Sequence, residues 1–299
     1  MKNDQSSGLT EAMDNLSLGG QEEGKSEQPK KKRPRKPKQH EESKDGPAAR
    51  TRGRLAAYMA QKKTEDVMRK MRIGVVFDEL MLLHRDYKGV HPERPERLMA
   101  IYLNLVKKDL FNLLKRIDSE AAAEEDLLLA HKAIHIKHVK EDSVGLADKK
   151  NELTSQVDTY MNKYTAQSAL ISAGSAVEAV ANVCSQVMVD QAFAIVRPPG
   201  HHAHCNQIAG FCFYNNVGVA AKVAQKKHGA RKICIFDWDV HVGDGTAQIF
   251  YDDPTVLYIS IHRFDQGKFY PGQAGAHTRI GEGAGKGYNV HFPFNVAAN

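Results

Sequence analysis

Short runs of almost wholly apolar residues recur along the chain and constrain its fold more than any other feature. They are IGVVF (73–77), FAIV (193–196), KICIF (232–236) and VLYISI (256–261). Runs of this kind are typical of strands covered on both faces, as in parallel sheets. Small and apolar residues at helical spacing predict helices over 166–183 and 216–227, the second ending near Gly229. The alternation predicts an α/β fold with helices on both faces of a mainly parallel sheet.

The N-terminal part of the chain has a different composition. Residues 1–50 are rich in Lys, Glu, Ser, Gln, Gly and Pro and poor in aromatic residues, which is typical of disordered segments. We therefore expect a disordered basic tail over 1–71 and a folded domain over 72–299; residues 54–72 could form a short helix or continue the linker. The run PKKKRPRKPK (29–38) resembles a nuclear import signal, with a nucleic-acid patch or a solvated charge run as alternatives. The expected location is the nucleus, and the cytoplasm as well.

Charge is unevenly divided between these two parts. Residues 1–72 contain 18 Lys and Arg against 11 Asp and Glu, a net charge of +7, which leaves −1 for the rest of a chain whose net charge is +6. The folded part has no basic bias, so direct nucleic-acid binding is not expected. The four cysteines form no C-x-x-C pair and are expected to be reduced thiols. No run approaches the ~18 apolar residues of a membrane span, so no membrane association is expected.

Acidic residues and a histidine follow the predicted strand KICIF. Asp237, Asp239 and His241 occupy alternate positions of DWDVHVGDG (237–245), and alternate side chains of an extended segment share a face. A carboxylate and an imidazole can therefore converge on one cation. Burying these groups together with Asp244 is costly without a metal or hydrogen-bond partners. The pattern favours a metal site, and the alternative is an acidic turn whose carboxylates accept capping hydrogen bonds.

A second cluster follows the predicted strand FAIV. His201 and His202 lie in RPPGHHAH (197–204), where two prolines stiffen the loop. Sites in α/β sheets form beyond the carboxyl ends of the strands, so the two clusters are expected to meet. A carboxylate that binds an imidazole raises its basicity, which suits a general base acting with a metal.

Six segments in this order resemble the histone deacetylase family, specifically its class II members. They are IGVVFDELMLLH (73–84), HPERPERL (91–98), RPPGHHAH, GFCFYNN (210–216), IFDWDVHVGDGTAQIFYDDPTVLYISIHR (235–263) and FYPG (269–272). The resemblance covers about residues 72–296. It implies the three-layer α/β/α fold of the arginase and deacetylase superfamily. It also implies zinc-dependent hydrolysis of acetyl-lysine amides on histones or other proteins, linked to chromatin and transcriptional repression.

The resemblance also implies a role for each site residue. Asp239 and His241 would bind Zn²⁺, with a third carboxylate from later in the chain. His202 would be the general base and His201 a mainly electrostatic partner, and Asp244 and Asp237 would orient these two histidines respectively.

The resemblance further implies a narrow tunnel for the acyl-lysine side chain. Phe211 and Tyr270 would form its walls, Gly210 would lie beside it, and Arg97 would line an internal channel for acetate. The alternative for the two aromatic residues is a place in the core. A structural K⁺ is implied near five residues: Asp237, Asp239, His241, Ser260 and Ile261.

Two family features have no counterpart in this sequence. The family's third zinc ligand and its oxyanion-stabilising tyrosine lie on loops later than any here, so we expect a catalytic domain incomplete at its C-terminus. Such a domain would bind zinc weakly and leave a sheet edge and apolar surface uncovered. Asp265 is a weak substitute ligand because its loop resembles a mobile one.

Other functions are carried as alternatives. They are a non-catalytic module that binds acyl-lysine or a corepressor partner, a polyamine deacetylase, and a nucleic-acid-binding protein acting through residues 29–54. His131, His135 and His138 have helical spacing and could share a metal, although an amphipathic helix with histidines near its surface is the simpler interpretation.

Overall fold

A computed structural model describes residues 47–145, 152–154 and 159–296. The chain divides into two compact units, Met1–Lys70 and Met71–Asn299. The division lies one residue from the boundary between the predicted tail and the predicted domain.

The first unit contains one described element, the helix α1 (Pro47–Lys70). Over 54–70 the structure agrees with the short helix considered as one alternative for 54–72, and the helix begins seven residues earlier, within the segment expected to be disordered. The reason is composition, because the segment is rich in Ala, Arg and Lys, which are strong helix formers. The basic run 29–38 lies outside the described residues.

The second unit alternates strands with helices, as the apolar pattern predicts. Its helices are α2 (Glu96–Lys107), α3 (Glu124–Leu127), α4 (Ala133–Gly145), α5 (Thr165–Ser185), α6 (Asn216–His228) and α7 (Asp244–Ile249). Its strands are β1 (Ile73–Val76), β2 (Lys115–Ile117), β3 (Glu152–Thr154), β4 (Thr159–Met161), β5 (Gln191–Ala194), β6 (Ile233–Asp237), β7 (Val256–Arg263) and β8 (Asn289–Phe294). Single turns of 3₁₀ helix occupy several of the connections.

The long strands are parallel, which confirms the predicted α/β class. Among the described residues they form two three-stranded sheets, in the orders β2-β1-β5 and β6-β7-β8, and β3 and β4 form a separate antiparallel pair. In the second sheet Asp237 at the end of β6 is paired with Ser260 of β7.

The prediction that every apolar strand is covered on both faces holds for β1 but is wrong for β5 and β6. In β1 the neighbouring residues Val75 and Val76 belong to different core clusters and are both buried. In the edge strands β5 and β6, alternate residues pack into the core while Phe193 and Phe236 are 47% and 50% exposed. One face of each edge strand is therefore uncovered within the described part of the chain.

Two helices hold the loop that follows β5. Ser172 of α5 donates a hydrogen bond to the carbonyl oxygen of Pro198 at 2.8 Å, and the Asn216 side-chain amide of α6 donates to the same oxygen at 3.1 Å. Helix α6 begins after Asn215, whose side chain accepts from the Gly218 N–H, and it ends at Gly229, where φ is 72°. The left-handed end confirms the glycine stop predicted there.

Helix α5 has the length and apolar composition of a membrane span, contrary to the expectation that no segment approaches one. Half of its most apolar window is buried inside the fold. Its residues belong to the core clusters beneath β1 and beside α6. Packing on more than one side explains why Glu178 is its one charged residue.

A buried ion pair joins distant parts of the second unit. The Arg197 guanidinium is fully buried, and its Nε and Nη2 donate to the two Glu93 oxygens at 3.0 and 2.6 Å. It also donates to the Met81 carbonyl at 2.5 Å and to the Tyr160 hydroxyl at 2.8 Å, and that hydroxyl donates to Glu93 at 2.9 Å. Both carboxylate oxygens of Glu93 therefore accept hydrogen bonds from buried donors, as a buried charge requires.

Glu93→Ala should strongly destabilise the fold, because it leaves the Arg197 charge buried and unpaired. We expect the free energy of unfolding to fall by about 3–5 kcal/mol. Asp190→Ala is the matched control: Asp190 pairs with Arg72 at the surface, where water screens the charges, so its loss should cost far less than the loss of Glu93. Urea titrations of both variants measure the difference, and equal losses would contradict the importance of the buried pair.

Candidate active site

The loops that follow β5 and β6 meet and form one cavity, as the two clusters of site residues in the sequence predict, although β5 and β6 belong to different sheets. Its volume is about 780 Å³. It is lined by Pro199, His201, His202, His204, Gln207, Ala209, Gly210, Phe211, Asp239, Val240, His241, Asp244 and Tyr270. Of the ten predicted site residues, eight line this cavity, Asp237 lies behind His201, and Arg97 is not part of the lining.

His202 and Asp244 form the tightest pair of the site. The His202 Nδ1 and the Asp244 Oδ1 are 2.6 Å apart. Burial alone would raise the pKa of Asp244, but hydrogen bonds from His202 and His204 lower it to about 2. The ionised carboxylate only accepts hydrogen bonds, so Nδ1 carries the proton and Nε2 keeps a free lone pair. Burial lowers the pKa of His202 despite the Asp244 bond, which favours the neutral ring.

The pKa of His201 is shifted in the opposite direction. Its Nδ1 is 2.9 Å from Asp237 Oδ2, an oxygen that also accepts from the Tyr258 hydroxyl at 3.0 Å. Burial disfavours the charged ring, but the Asp237 bond and nearby carboxylates outweigh it and raise the pKa of His201. Two adjacent histidines thus have pKa values shifted in opposite directions. The lowered pKa suits His202 to accept a proton, and the raised pKa suits His201 to carry a positive charge.

Asp239 and His241 have the spacing of two zinc ligands. The Asp239 Oδ1 and the His241 Nδ1 are 3.2 Å apart, and both side chains are accessible from the cavity. Two ligands about 2.0–2.1 Å from a tetrahedral zinc lie roughly 3.3 Å apart. The pair therefore fits part of a zinc shell. Across the residues that the structure describes, no group of three or more His, Cys, Asp or Glu side chains is placed to hold a metal.

Aromatic rings surround this pair and His202. The Tyr270 ring meets the His202 ring edge-on, with centroids 4.9 Å apart. Phe269, which sequence reasoning missed, stacks on His241 at 4.9 Å with the planes 7° apart. Phe211 has a φ of 72° and packs edge-on against His91 at 4.7 Å. Phe211 and Tyr270 thus line the cavity and are not core residues.

Position 210 favours glycine for two reasons, its backbone conformation and its closeness to His202. Its φ is 50°, and a Cβ there would collide with the His202 ring atoms Cδ2 and Cγ. The absence of a side chain lets the loop approach the histidine face.

Arg97 lies apart from the cavity. It sits on α2, exposed, and its Nη2 donates to the Val196 carbonyl at 2.8 Å. The buried cation beside the histidine loop is instead Arg197, which precedes that loop by sequence and was not predicted as a functional residue. The substitute ligand Asp265 is also elsewhere, since its carboxylate binds Arg263 and the Val296 N–H.

The surface position considered for His131 and His135 is wrong, since both are buried. His131 Nδ1 donates to the His204 carbonyl at 3.0 Å, and its Nε2 accepts from the Asn215 N–H at 2.9 Å. His135 Nε2 donates to the Phe213 carbonyl at 2.7 Å. Accepting at one nitrogen requires a neutral ring, and burial lowers the pKa of His131 to about 4. These histidines support the loops of the site from behind.

The comparisons with known proteins agree with this arrangement. The histone deacetylase domain family matches residues 91–299. The chain is 38% identical to histone deacetylase 5 of Arabidopsis thaliana, over 76% of this chain and 35% of that protein. It is 41% identical to histone deacetylase 15 of the same plant, over 74% and 40%, and 37% identical to histone deacetylase HDA1 of Candida albicans, over 78% and 31%.

A solved structure gives the same result. The crystal structure of the HDA15 HD domain matches this fold with a TM-score of 0.71. The match covers 76% of this chain and 64% of that chain, and the two sequences are 39% identical. Fold and site together define an α/β protein of the arginase and deacetylase type. The chain belongs to the histone deacetylase family, as a class II-like member. It spans between 31% and 40% of the length of the three relatives named above.

Gly210→Ala should displace His202. We expect the resonance of the His202 Nδ1 proton to shift, because the new Cβ pushes the ring away from Asp244. Gly89→Ala is the control, since Gly89 has a similar φ of 70° but open space around it. The strain of a left-handed alanine, about 1–2 kcal/mol, is common to both variants. Proton NMR and urea unfolding measure the two effects, and an unmoved His202 resonance in Gly210→Ala would contradict the contact.

Proposed function

We propose that this protein hydrolyses acetyl-lysine amides in a zinc-dependent reaction. One observation carries the proposal: Asp244 fixes His202 through Nδ1, which leaves Nε2 to act as the base, and His202 lines the same cavity as Asp239 and His241. The relatives carry the name histone deacetylase, which supports the same chemistry.

Asp239 and His241 would hold the zinc ion. Their 3.2 Å spacing and their mixed oxygen and nitrogen donors suit that metal. When bound, zinc supplies Lewis-acid activation of an amide carbonyl and of water.

The two histidines would divide the proton chemistry. Neutral His202 accepts a proton from the attacking water at Nε2 and then delivers it to the departing lysine nitrogen. His201, whose pKa is raised, supplies positive charge that stabilises the negative charge developing on the carbonyl oxygen. The products are acetate and a free lysine amine.

The aromatic walls suit a lysine side chain. Phe211 and Tyr270 both line the cavity, and Gly210 keeps the space beside His202 open. An unbranched methylene chain gains from apolar contact with such rings. The acetate channel along Arg97 stays a prediction, as does the structural K⁺ around the paired residues Asp237 and Ser260.

The cellular setting follows from this activity. We infer that the substrates are acetylated histones or other nuclear proteins, that the outcome is transcriptional repression, and that the run PKKKRPRKPK directs nuclear import. Cytoplasmic substrates and corepressor partners are compatible with the same site.

A second candidate function is a binding module. The observation that favours it is that, in the part of the chain described by the structure, only two ligand side chains of a zinc shell come together. Such a protein would hold acetyl-lysine between the aromatic walls, or serve as a corepressor scaffold, without turnover.

Turnover of an acetyl-lysine peptide by the zinc-supplemented chain separates the two candidates. For a hydrolase, His202→Ala should lower the rate by about 10²- to 10⁴-fold, since it removes the general base. His138→Ala, at an exposed histidine on α4, should leave the rate unchanged. Acetate release is the measurement. Saturable peptide binding without acetate release would instead support the binding module.

A further inference from the structure

Asp244 binds two histidines, and the mechanism above uses only one of them. Its Oδ1 is 2.6 Å from His202 Nδ1, and its Oδ2 is 3.0 Å from His204 Nε2. The side chains of Asp244 and His204 are 13% and 26% exposed. Both oxygens of the carboxylate are thus engaged by imidazoles on one short loop.

The chemistry of the pair fixes the tautomer of His204. Because Asp244 is ionised and accepts only, His204 must donate from Nε2. His202 donates from Nδ1 for the same reason. The two rings therefore approach the carboxylate through different nitrogens.

The backbone of His204 is held firmly enough to act as a support. Its N–H donates to the Gln207 carbonyl at 2.9 Å, and its carbonyl accepts from His131 at 3.0 Å. The next carbonyl, that of Cys205, accepts from the Lys132 N–H at 2.7 Å. The turn before helix α4 therefore anchors the loop that carries His204.

His204 and Asp244 also border a second cavity of about 330 Å³. Its charged or titratable lining includes Tyr251, Asp252, Arg279, Glu282 and His291. The Nε2–H of His204 is the donor to Asp244 Oδ2 beside this polar cavity, and without that donor we expect water to hydrate the oxygen. A hydrated oxygen would let the carboxylate rotate away from His202.

We propose that His204 is a positioning residue that locks the Asp244 carboxylate, so that Oδ1 stays on His202 Nδ1 and the base keeps its tautomer and direction. The catalytic consequence rests on the proposed function, but the geometric lock does not.

NMR of ¹⁵N-histidine-labelled chain tests the lock without any need for turnover. In the wild type we expect His204 protonated at Nε2 and His202 at Nδ1, with a slowly exchanging His202 ring proton. His204→Ala should accelerate exchange of that proton at least tenfold, and His204→Gln, whose amide can donate in place of Nε2, should restore slow exchange. Unchanged exchange in His204→Ala, or no restoration in His204→Gln, would overturn the proposal.

Kinetics of the same variants separate this proposal from the proposed function. With acetyl-lysine peptide, His204→Ala should lower kcat at least tenfold with KM little changed, and His204→Gln should recover most of it. A wild type that shows the NMR signature but no turnover would refute the hydrolase and leave the lock standing. Normal turnover in His204→Ala with unaltered exchange would refute the lock and leave the hydrolase standing.

Discussion

The second unit depends on one buried cation. Arg197 has no exposure to solvent, and its guanidinium is satisfied by Glu93, Met81 and Tyr160. An arginine is stable there only because these groups surround it, so three segments far apart in sequence must come together before the charge can be buried. The histidine loop begins at the next residues, and its starting point is therefore set by this contact.

The site uses the ends of parallel strands to bring opposite electrostatic environments together. The loop after β5 supplies two imidazoles, and the loop after β6 supplies their carboxylates and the pair suited to zinc. Each histidine has its own carboxylate, yet their pKa values move in opposite directions. Burial lowers the pKa of His202, and two nearby imidazoles lower it further. Burial also acts on His201, but several carboxylates around that ring outweigh it and raise its pKa. A small difference in neighbours thus separates the two roles.

Much of this could be predicted from sequence, because its signals are local. Alternation along 237–244, two prolines before a histidine pair and a glycine at the end of α6 each indicate a structure within a few residues. The coverage of the strands was harder to predict, because composition alone does not distinguish a central strand such as β1 from edge strands such as β5 and β6.

What sequence could not indicate is contact over long separations. Glu93 and Arg197 are 104 residues apart, and His131 and Asn215 are 84 apart. No periodic pattern marks such partners, and His131 and His135 were expected near the surface for that reason. The contact between His204 and Asp244, 40 residues apart, is also not indicated by the sequence, and only the fold shows that His204 and His202 bind the same carboxylate.

The proposed function requires that Asp239 and His241 hold zinc beside the base His202. Titration of the purified chain with zinc against a competing chromophoric chelator measures this property. We expect saturable binding of about one zinc per chain, weakened at least tenfold by Asp239→Asn or His241→Ala. Asp252→Asn, at an exposed acid outside the site, should leave zinc binding unchanged. Zinc binding that neither ligand substitution weakens would show that these two residues do not hold the metal.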